Sequence, residues 1–237
     1  MAVYKIADFI VELKNKYQYT ERICSDYRYE GDEKPEFVIS ANEEAIDEEL
    51  AINAITDRGY AESVCLYRQL CLEILSKDAM LLHAAVVEVG GKGYAFLARS
   101  GVGKSTHVRL WQELLGDRLT VVNGDKPIVR FIDGKFYAYG TAWRGKEGYG
   151  SNTKTTLDAL CFIERSEENF IEKQTAAQTV SKIIKQTLLP ADPEKAANTL
   201  DFLDKLVVSV PAFCMHCNIS PEAAEVCYDT LKNAHGN

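Results

Sequence analysis

Residues 98–106 read Ala-Arg-Ser-Gly-Val-Gly-Lys-Ser-Thr, and this run constrains the fold more than any other part of the chain. It stands between an apolar strand pattern over 93–98 and a helical pattern over 104–115. Glycines at 101 and 103 let successive backbone N–H groups turn inward as an anion nest, and the helix that follows directs its N-terminus at the same point. The spacing is that of a phosphate-cradling P-loop. It assigns phosphate contacts to Ser100, Gly101, Val102, Gly103, Lys104, Ser105 and Thr106, with Lys104 reaching the terminal phosphates and the Ser105 hydroxyl holding Mg²⁺. Strand, loop and helix agree, so a bare glycine turn with a surface lysine is the weaker reading.

Ala98 stands where such loops usually carry their first glycine. In a left-handed conformation its Cβ would cost about 1–2 kcal/mol. The residue directly continues the run Tyr94-Ala95-Phe96-Leu97, however, so a strand-like and unstrained backbone is expected there.

Around the loop the pattern is α/β. Residues 80–89 and 93–98 read as strands joined by Gly90-Gly91, 128–132 and 135–139 as a hairpin over Asp133-Gly134, and 119–122 as a buried strand leading into Asn123-Gly124-Asp125. Further strands are expected at 160–164, 170–173 and 213–219. Helices are expected at 176–189, 193–206 and 221–233, the last with Ser220 as cap and Pro221 in its first turn. Upstream, 3–14, 19–29 and 36–40 read as strands, 42–49 as a solvated acidic helix or loop, and 60–76 as a helix with an apolar stripe. This divides the chain into a β-rich N-terminal lobe (1–75) and an α/β P-loop domain (76–237).

A chain of 237 residues can bury a full core, and 46% hydrophobic with 26% charged residues is ordinary for a globular enzyme. A net charge of −8 without a Lys/Arg-rich stretch argues against a nucleic-acid surface. No apolar run is long enough to span a bilayer and no signal-peptide core is visible, so no membrane association and a cytoplasmic location are expected. The seven cysteines then read as buried, reduced thiols. Cys214-Met-His-Cys217 has the look of a metal or redox motif, but no second ligand pair at a comparable spacing accompanies it, and a structural role is the stronger reading.

Phosphoryl transfer needs more than a phosphate cradle. Asp125, just past a buried strand, is the candidate second Mg²⁺ ligand. With His83 fifteen positions before Ala98, the loop 100–106 and the strand-then-acid at Asp125, residues 80–145 resemble the catalytic domain of the HPr kinase/phosphorylase family, a fold shared distantly with ATP-dependent phosphoenolpyruvate carboxykinase. Arg144-Gly145 is a weak echo of that family's later Arg-Gly signature. The short HPr-kinase-like enzymes that phosphorylate a hydroxyl of lasso peptides are the closer comparison in size. The resemblance implies ATP and Mg²⁺ as cofactors, Lys104 and Ser105 on the phosphates and metal, Asp125 on the metal, and His83 assisting the catalytic acid. It also implies a protein, peptide or small-molecule hydroxyl as acceptor and assembly into a homo-oligomer.

The sequence departs from the family at Gly124, where a second aspartate is usual. If Asp125 binds the metal, His83 or another group must serve as base. If Asp125 is the base, the metal has one protein ligand fewer; weakened catalysis is the third alternative. The segment 140–152 carries four glycines together with Trp143, Arg144, Lys146 and Tyr149, as a loop beside the site should. Arg144 and Lys146 could neutralise a transferred phosphoryl group or grip the acceptor, while Trp143 reads as a packing anchor and Arg99 and His107 as surface positions. The expected activity is a kinase transferring the γ-phosphoryl of ATP to Ser or Thr of a small protein or peptide. A small-molecule kinase and a nucleotide-binding scaffold with a weakened site are the competing readings.

Overall fold

The computed structural model describes residues 2–54 and 56–234, and the chain divides into two compact units between Lys77 and Asp78.

The first unit holds a three-stranded sheet of β1 (Ala2–Ile6), β2 (Phe9–Lys14) and β3 (Phe37–Ser40). Its helices are α1 (Gln18–Ile23), α2 (Glu43–Asn53) and α3 (Arg58–Glu73). The expected single strand over 3–14 is a hairpin, turning at Ala7 and Asp8 with φ of 50° and 63°. The expected strand over 19–29 is α1 followed by a 3₁₀ turn. Thr20, Cys24 and Tyr27 are the buried residues there, a helical spacing that the tyrosine-rich composition masked. Helices therefore hold more of this unit than strands do, which corrects the description of a β-rich lobe. Buried Glu62 on α3 fixes the turn after β2 by accepting from the N–H groups of Lys16 (2.7 Å) and Tyr17 (3.1 Å).

The second unit is mixed α/β. Its strands are β4 (Ala79–Leu81), β5 (Ala84–Val89), β6 (Lys92–Leu97), β7 (Leu119–Asn123), β8 (Ile128–Ile132), β9 (Lys135–Tyr139), β10 (Lys154–Arg165), β11 (Phe170–Lys173) and β12 (Ala212–Cys217). They run β4-β8-β9-β10-β6-β5-β7, with β12 also on β10 and β11 on β12. β10 joins the sheet together. Its first residues pair antiparallel with β9, its middle pairs parallel with β6, and its last six pair parallel with β12. The helices are α4 (Lys104–Leu115), α5 (Ala176–Ile183), α6 (Pro193–Ser209) and α7 (Glu222–Leu231). Ser220 does not cap α7 through its side chain; Pro221 precedes the helix and the Ser220 carbonyl accepts from Ala223 N–H.

Alternation along β10 and β12 serves two faces. Cys161, Ile163, Phe213, Met215 and Cys217 join the core under α4 and α7, where Trp111 is fully buried against Tyr94, Phe96 and Tyr228. On the other face Lys182 of α5 lies over the Phe162 ring and Phe202 of α6 packs edge-on against Phe136. Among the described residues, no helix is long and apolar enough to cross a membrane.

Candidate active site

Strand register assembles the site. In the β5–β6 hairpin Ala84 pairs with Leu97, so His83 faces Ala98 across the hairpin. The fifteen-residue spacing between them is this register. β7 lies on the other edge of β5 with Asn123 opposite Val86, so the residues following β7 arrive at the same end of the sheet. His83 is not inside one long strand, as 80–89 suggested. It occupies the break between β4 and β5, where its N–H donates to the Gln186 carbonyl (2.9 Å).

The loop from β6 to α4 leaves its strand at Ala98, which has no positive φ, so alanine is unstrained there. Gly101 and Gly103 do adopt positive φ, 78° and 139°, and open space lies where a Cβ would project from either. α2, α3, α5 and α6 each begin with a side chain accepting from their first turn, whereas α4, like α1 and α7, has no side-chain cap and begins at Gly103. Its leading N–H groups are left for a ligand or water. Arg165, at the end of β10, donates to the carbonyls of Gly101 (2.5 Å) and Val102 (3.0 Å). With these oxygens held by the guanidinium, the loop's conformation is fixed from outside. Ser100 and Ser105 are exposed, and Val102 and Thr106 half-buried.

Lys104 is folded back into the protein, only 8% exposed. Its ammonium donates to the Ala98 carbonyl (3.1 Å) and lies 2.9 Å from His83 Nε2. The same ring nitrogen is 3.1 Å from Asp125 Oδ1, and Lys126 Nζ is 3.8 Å from the other carboxylate oxygen. One imidazole nitrogen cannot both accept from an ammonium and donate to a carboxylate. The His83 ring nitrogen thus satisfies only one of its two neighbours fully at a time. Burial holds the Lys104 ammonium below its ordinary pKa of 10.5, partly opposed by Asp125. Burial pushes the Asp125 carboxyl up, but the His83 hydrogen bond and the charges of Lys126, His83 and Lys104 more than offset it, leaving the group below its usual range.

Asn123, fully buried, organises the turn that presents Asp125. Its amide donates to the carbonyl (3.2 Å) and hydroxyl (3.1 Å) of Thr141, and its oxygen accepts from the N–H groups of Asp125 (2.9 Å) and Lys126 (2.7 Å). The segment 144–149 runs beside this turn. A Cβ on Gly145 would come within 2.8 Å of Asp125 Cβ, so the Arg144-Gly145 backbone abuts the carboxylate residue. The Arg144 side chain lies along Gly150, and Lys146 is exposed. Trp143 is buried, as a packing anchor would be.

The structure therefore brings His83, Lys104 and Asp125 together at the mouth of the loop, and brings the Arg144 backbone to Asp125. His107 is not a surface residue. It is 2% exposed under the loop, accepting from Trp111 Nε1–H (3.1 Å), and burial pushes its pKa down to about 4. Asn123 and Arg165 were not singled out by the sequence. Nothing local marks Arg165, whose partners lie more than sixty residues away. A cavity of about 320 Å³ opens beside Gly101–Gly103, floored by Thr106, His107 and Leu110 and walled by Arg165, Ser166 and Asn218. It lies at the carboxyl ends of the parallel strands β6, β10 and β12, where open α/β sheets receive ligands. His83, Lys104 and Asp125 do not line it.

No known family profile matches the chain, and no curated protein matches its sequence. Among solved structures it is similar to the Hpr(Ser) kinase/phosphatase from Coxiella burnetii, at 9% identity and a TM-score of 0.40, over 66% of this chain and 93% of that one. A likeness at that level is silent on chemistry, which the side chains themselves must supply.

Proposed function

We propose that this chain is a nucleotide-dependent phosphotransferase that moves the γ-phosphoryl of ATP to a hydroxyl, with Ser or Thr of a small protein or peptide as the acceptor class. The observation that carries the reading is the Lys104–His83–Asp125 cluster at the mouth of a loop with two positive-φ glycines.

The residues fit the cofactors the reading requires. Two positive-φ glycines, an uncapped helix start and a buried ammonium suit the phosphates, and the exposed Ser105 hydroxyl with the ionised Asp125 suits Mg²⁺. Mg²⁺, when bound, would neutralise charge between the β- and γ-phosphates. Lys104 leaves His83 for the phosphate oxygens. The Nε2–H of His83 then donates to Asp125, and Nδ1 of the same ring accepts the proton released by the attacking hydroxyl. Arg165 keeps the loop preorganised, so little reorganisation is needed when charge shifts.

A protein that binds nucleotide without turning it over is the second reading, favoured by Gly124, whose side-chain space is filled by the 144–149 backbone rather than by a second acid. Calorimetry with Mg²⁺-ATP on the natural chain and on Lys104→Ala tests both. Binding that the substitution weakens supports a phosphate site, and phosphorylation of supplied Ser/Thr peptides or small hydroxyl compounds then separates enzyme from binding protein. No binding to the natural chain would remove both readings.

A further inference from the structure

A second polar cluster lies on the sheet face opposite α4 and is independent of the nucleotide reading. Cys214 and His216 are two apart on β12 and so share a face. Glu164 of β10 pairs in register with His216 from one side, and Glu172 of β11 pairs with Cys214 from the other. One carboxylate oxygen of Glu164, the Cys214 sulfur and one ring nitrogen of His216 all lie within 4.8 Å of one another. His216 Nδ1 is 3.8 Å from Glu164 and Nε2 is 3.5 Å from Glu172, while the ring is stacked on Phe170 at 4.4 Å.

A cation already sits in this cluster. Lys182 Nζ lies 2.6 Å from Glu164 Oε1 and 3.1 Å from Cys214 Sγ. An ammonium held at once by a carboxylate and a sulfur marks a place where positive charge is favoured. The three-residue spacing of Cys214 and Cys217 is no guide to it. On a strand those side chains point to opposite faces, and Cys217 belongs to the core under α4 and α7. The donor atoms near the Cys214 sulfur are instead those of His216 and of Glu164 on the adjacent strand, all within 4.8 Å of one another.

We propose that Glu164, Cys214 and His216 form a binding site for a divalent transition metal of the zinc class, with Lys182 occupying the cation position when the metal is absent. One oxygen, one sulfur and one nitrogen donor is a borderline-soft set that suits Zn²⁺ and disfavours Mg²⁺ or Ca²⁺. Bonds of about 2.0–2.3 Å require the three donors to draw together by roughly an ångström, which the half-exposed Glu164 side chain accommodates by rotating. On binding, the Cys214 S–H gives its proton to solvent, a sulfur–metal bond forms, and the Lys182 ammonium moves out to water. No electron is transferred. A water completes a four-coordinate shell, reaching the site past the half-exposed Glu164, while Glu172 accepts from the ring nitrogen of His216 that faces away from Glu164.

The test is a titration of the chelator-treated full chain with Co²⁺, reading the thiolate-to-cobalt charge-transfer band, followed by displacement with Zn²⁺. One Co²⁺ per chain is expected. The band should vanish in Cys214→Ser, and affinity should fall at least about tenfold in His216→Asn and in Glu164→Gln. Lys182→Met removes no ligand and should tighten binding by about fivefold, as expected when a competing ion pair is deleted. Circular dichroism establishes that each variant is folded; if Cys214→Ser is not, the His216 and Glu164 variants decide. Absence of the band in both the natural chain and Lys182→Met would overturn the proposal, and so would an unchanged band in folded Cys214→Ser.

Discussion

The N–H of Gly124 donates to the carbonyl of Tyr149 at 2.9 Å, and a Cβ on Gly124 would come within 3.0 Å of that same oxygen. The backbone of 144–149 thus takes the room that a second acidic side chain would need, and Arg144 O stands 3.1 Å from the same point. Installing the acid should therefore cost stability. Gly124→Asp is expected to lose about 1–3 kcal/mol, the usual range for overpacking, and to expose 144–149 to protease. An unchanged urea midpoint and digestion pattern would contradict this account of the glycine.

Lys104 should report nucleotide binding through its proton. Burial holds its ammonium below the ordinary 10.5 in the free protein, and a bound polyphosphate restores it. At pH values between the lowered and the ordinary pKa, binding should therefore take up protons. Calorimetry in two buffers of different ionisation enthalpy measures the uptake. It should disappear in Lys104→Arg, whose guanidinium stays charged.

Asn123→Leu should be among the more damaging single changes in this unit. It leaves the Asp125 and Lys126 N–H groups and the Thr141 carbonyl without their buried partner, a loss of about 2–4 kcal/mol. Denaturant unfolding checks the magnitude. A shift below about 0.5 kcal/mol, the range of ordinary surface changes, would show that water replaces the amide.

Arg165→Met keeps the aliphatic stem but releases the carbonyls of Gly101 and Val102. Amide exchange in the loop should accelerate by roughly ten- to a hundredfold, given about 1.5–3 kcal/mol for hydrogen bonds to a charged group. Global stability should change little. Equal protection in both proteins would show the loop to be held by its own turn alone.

His107 sets an acid limit on stability. Its folded pKa of about 4 lies below the ordinary 6.5, so the unfolded chain binds more protons between those values. Stability should fall as pH drops from 6.5 toward 4, by about 3 kcal/mol at pH 4 from this residue alone. In His107→Gln, whose amide oxygen can still accept from Trp111, the dependence over that window should shrink. Identical urea midpoints across pH for both proteins would argue against a neutral buried imidazole.

The parts of this structure that were legible in the sequence are those with local causes. α4 spans 104–115 as its periodicity and flanking glycines require, and the turns at Gly90-Gly91 and Asp133-Gly134 have the positive φ values that such pairs favour. Lys104 and Asp125 stand out by a loop spacing and a strand-then-acid pattern, and His83 only by the fifteen-residue spacing of the family resemblance; the structure sets the His83 ring within hydrogen-bond distance of both others. β10 was under-read at 160–164. Its first inward residue, Thr155, is polar and flanked by Lys154 and Thr156, so the alternation is clear only from Leu157 onward. Arg165 and the Glu164–Cys214–His216 cluster depend on contacts between segments far apart in the chain, and no window of sequence contains both halves of them. Asn123 bonds locally to Asp125 and Lys126, but its anchor on Thr141 is not local.

That β10 pairs with β6, β9 and β12 has a temporal consequence. As a chain emerges from the ribosome, the β5–β6 and β8–β9 hairpins of the second unit can form at once, since each closes over a two-residue turn. The strand that ties them to one another arrives only with residues 154–165, and its pairing with β6 spans about sixty residues of chain, the kind of closure that slows folding. Until then the glycine loop has been synthesised in full, yet the guanidinium that holds its carbonyls does not exist. The fixed form of the loop is thus a late event in the making of this molecule, timed by a strand that itself supplies none of His83, Lys104 or Asp125.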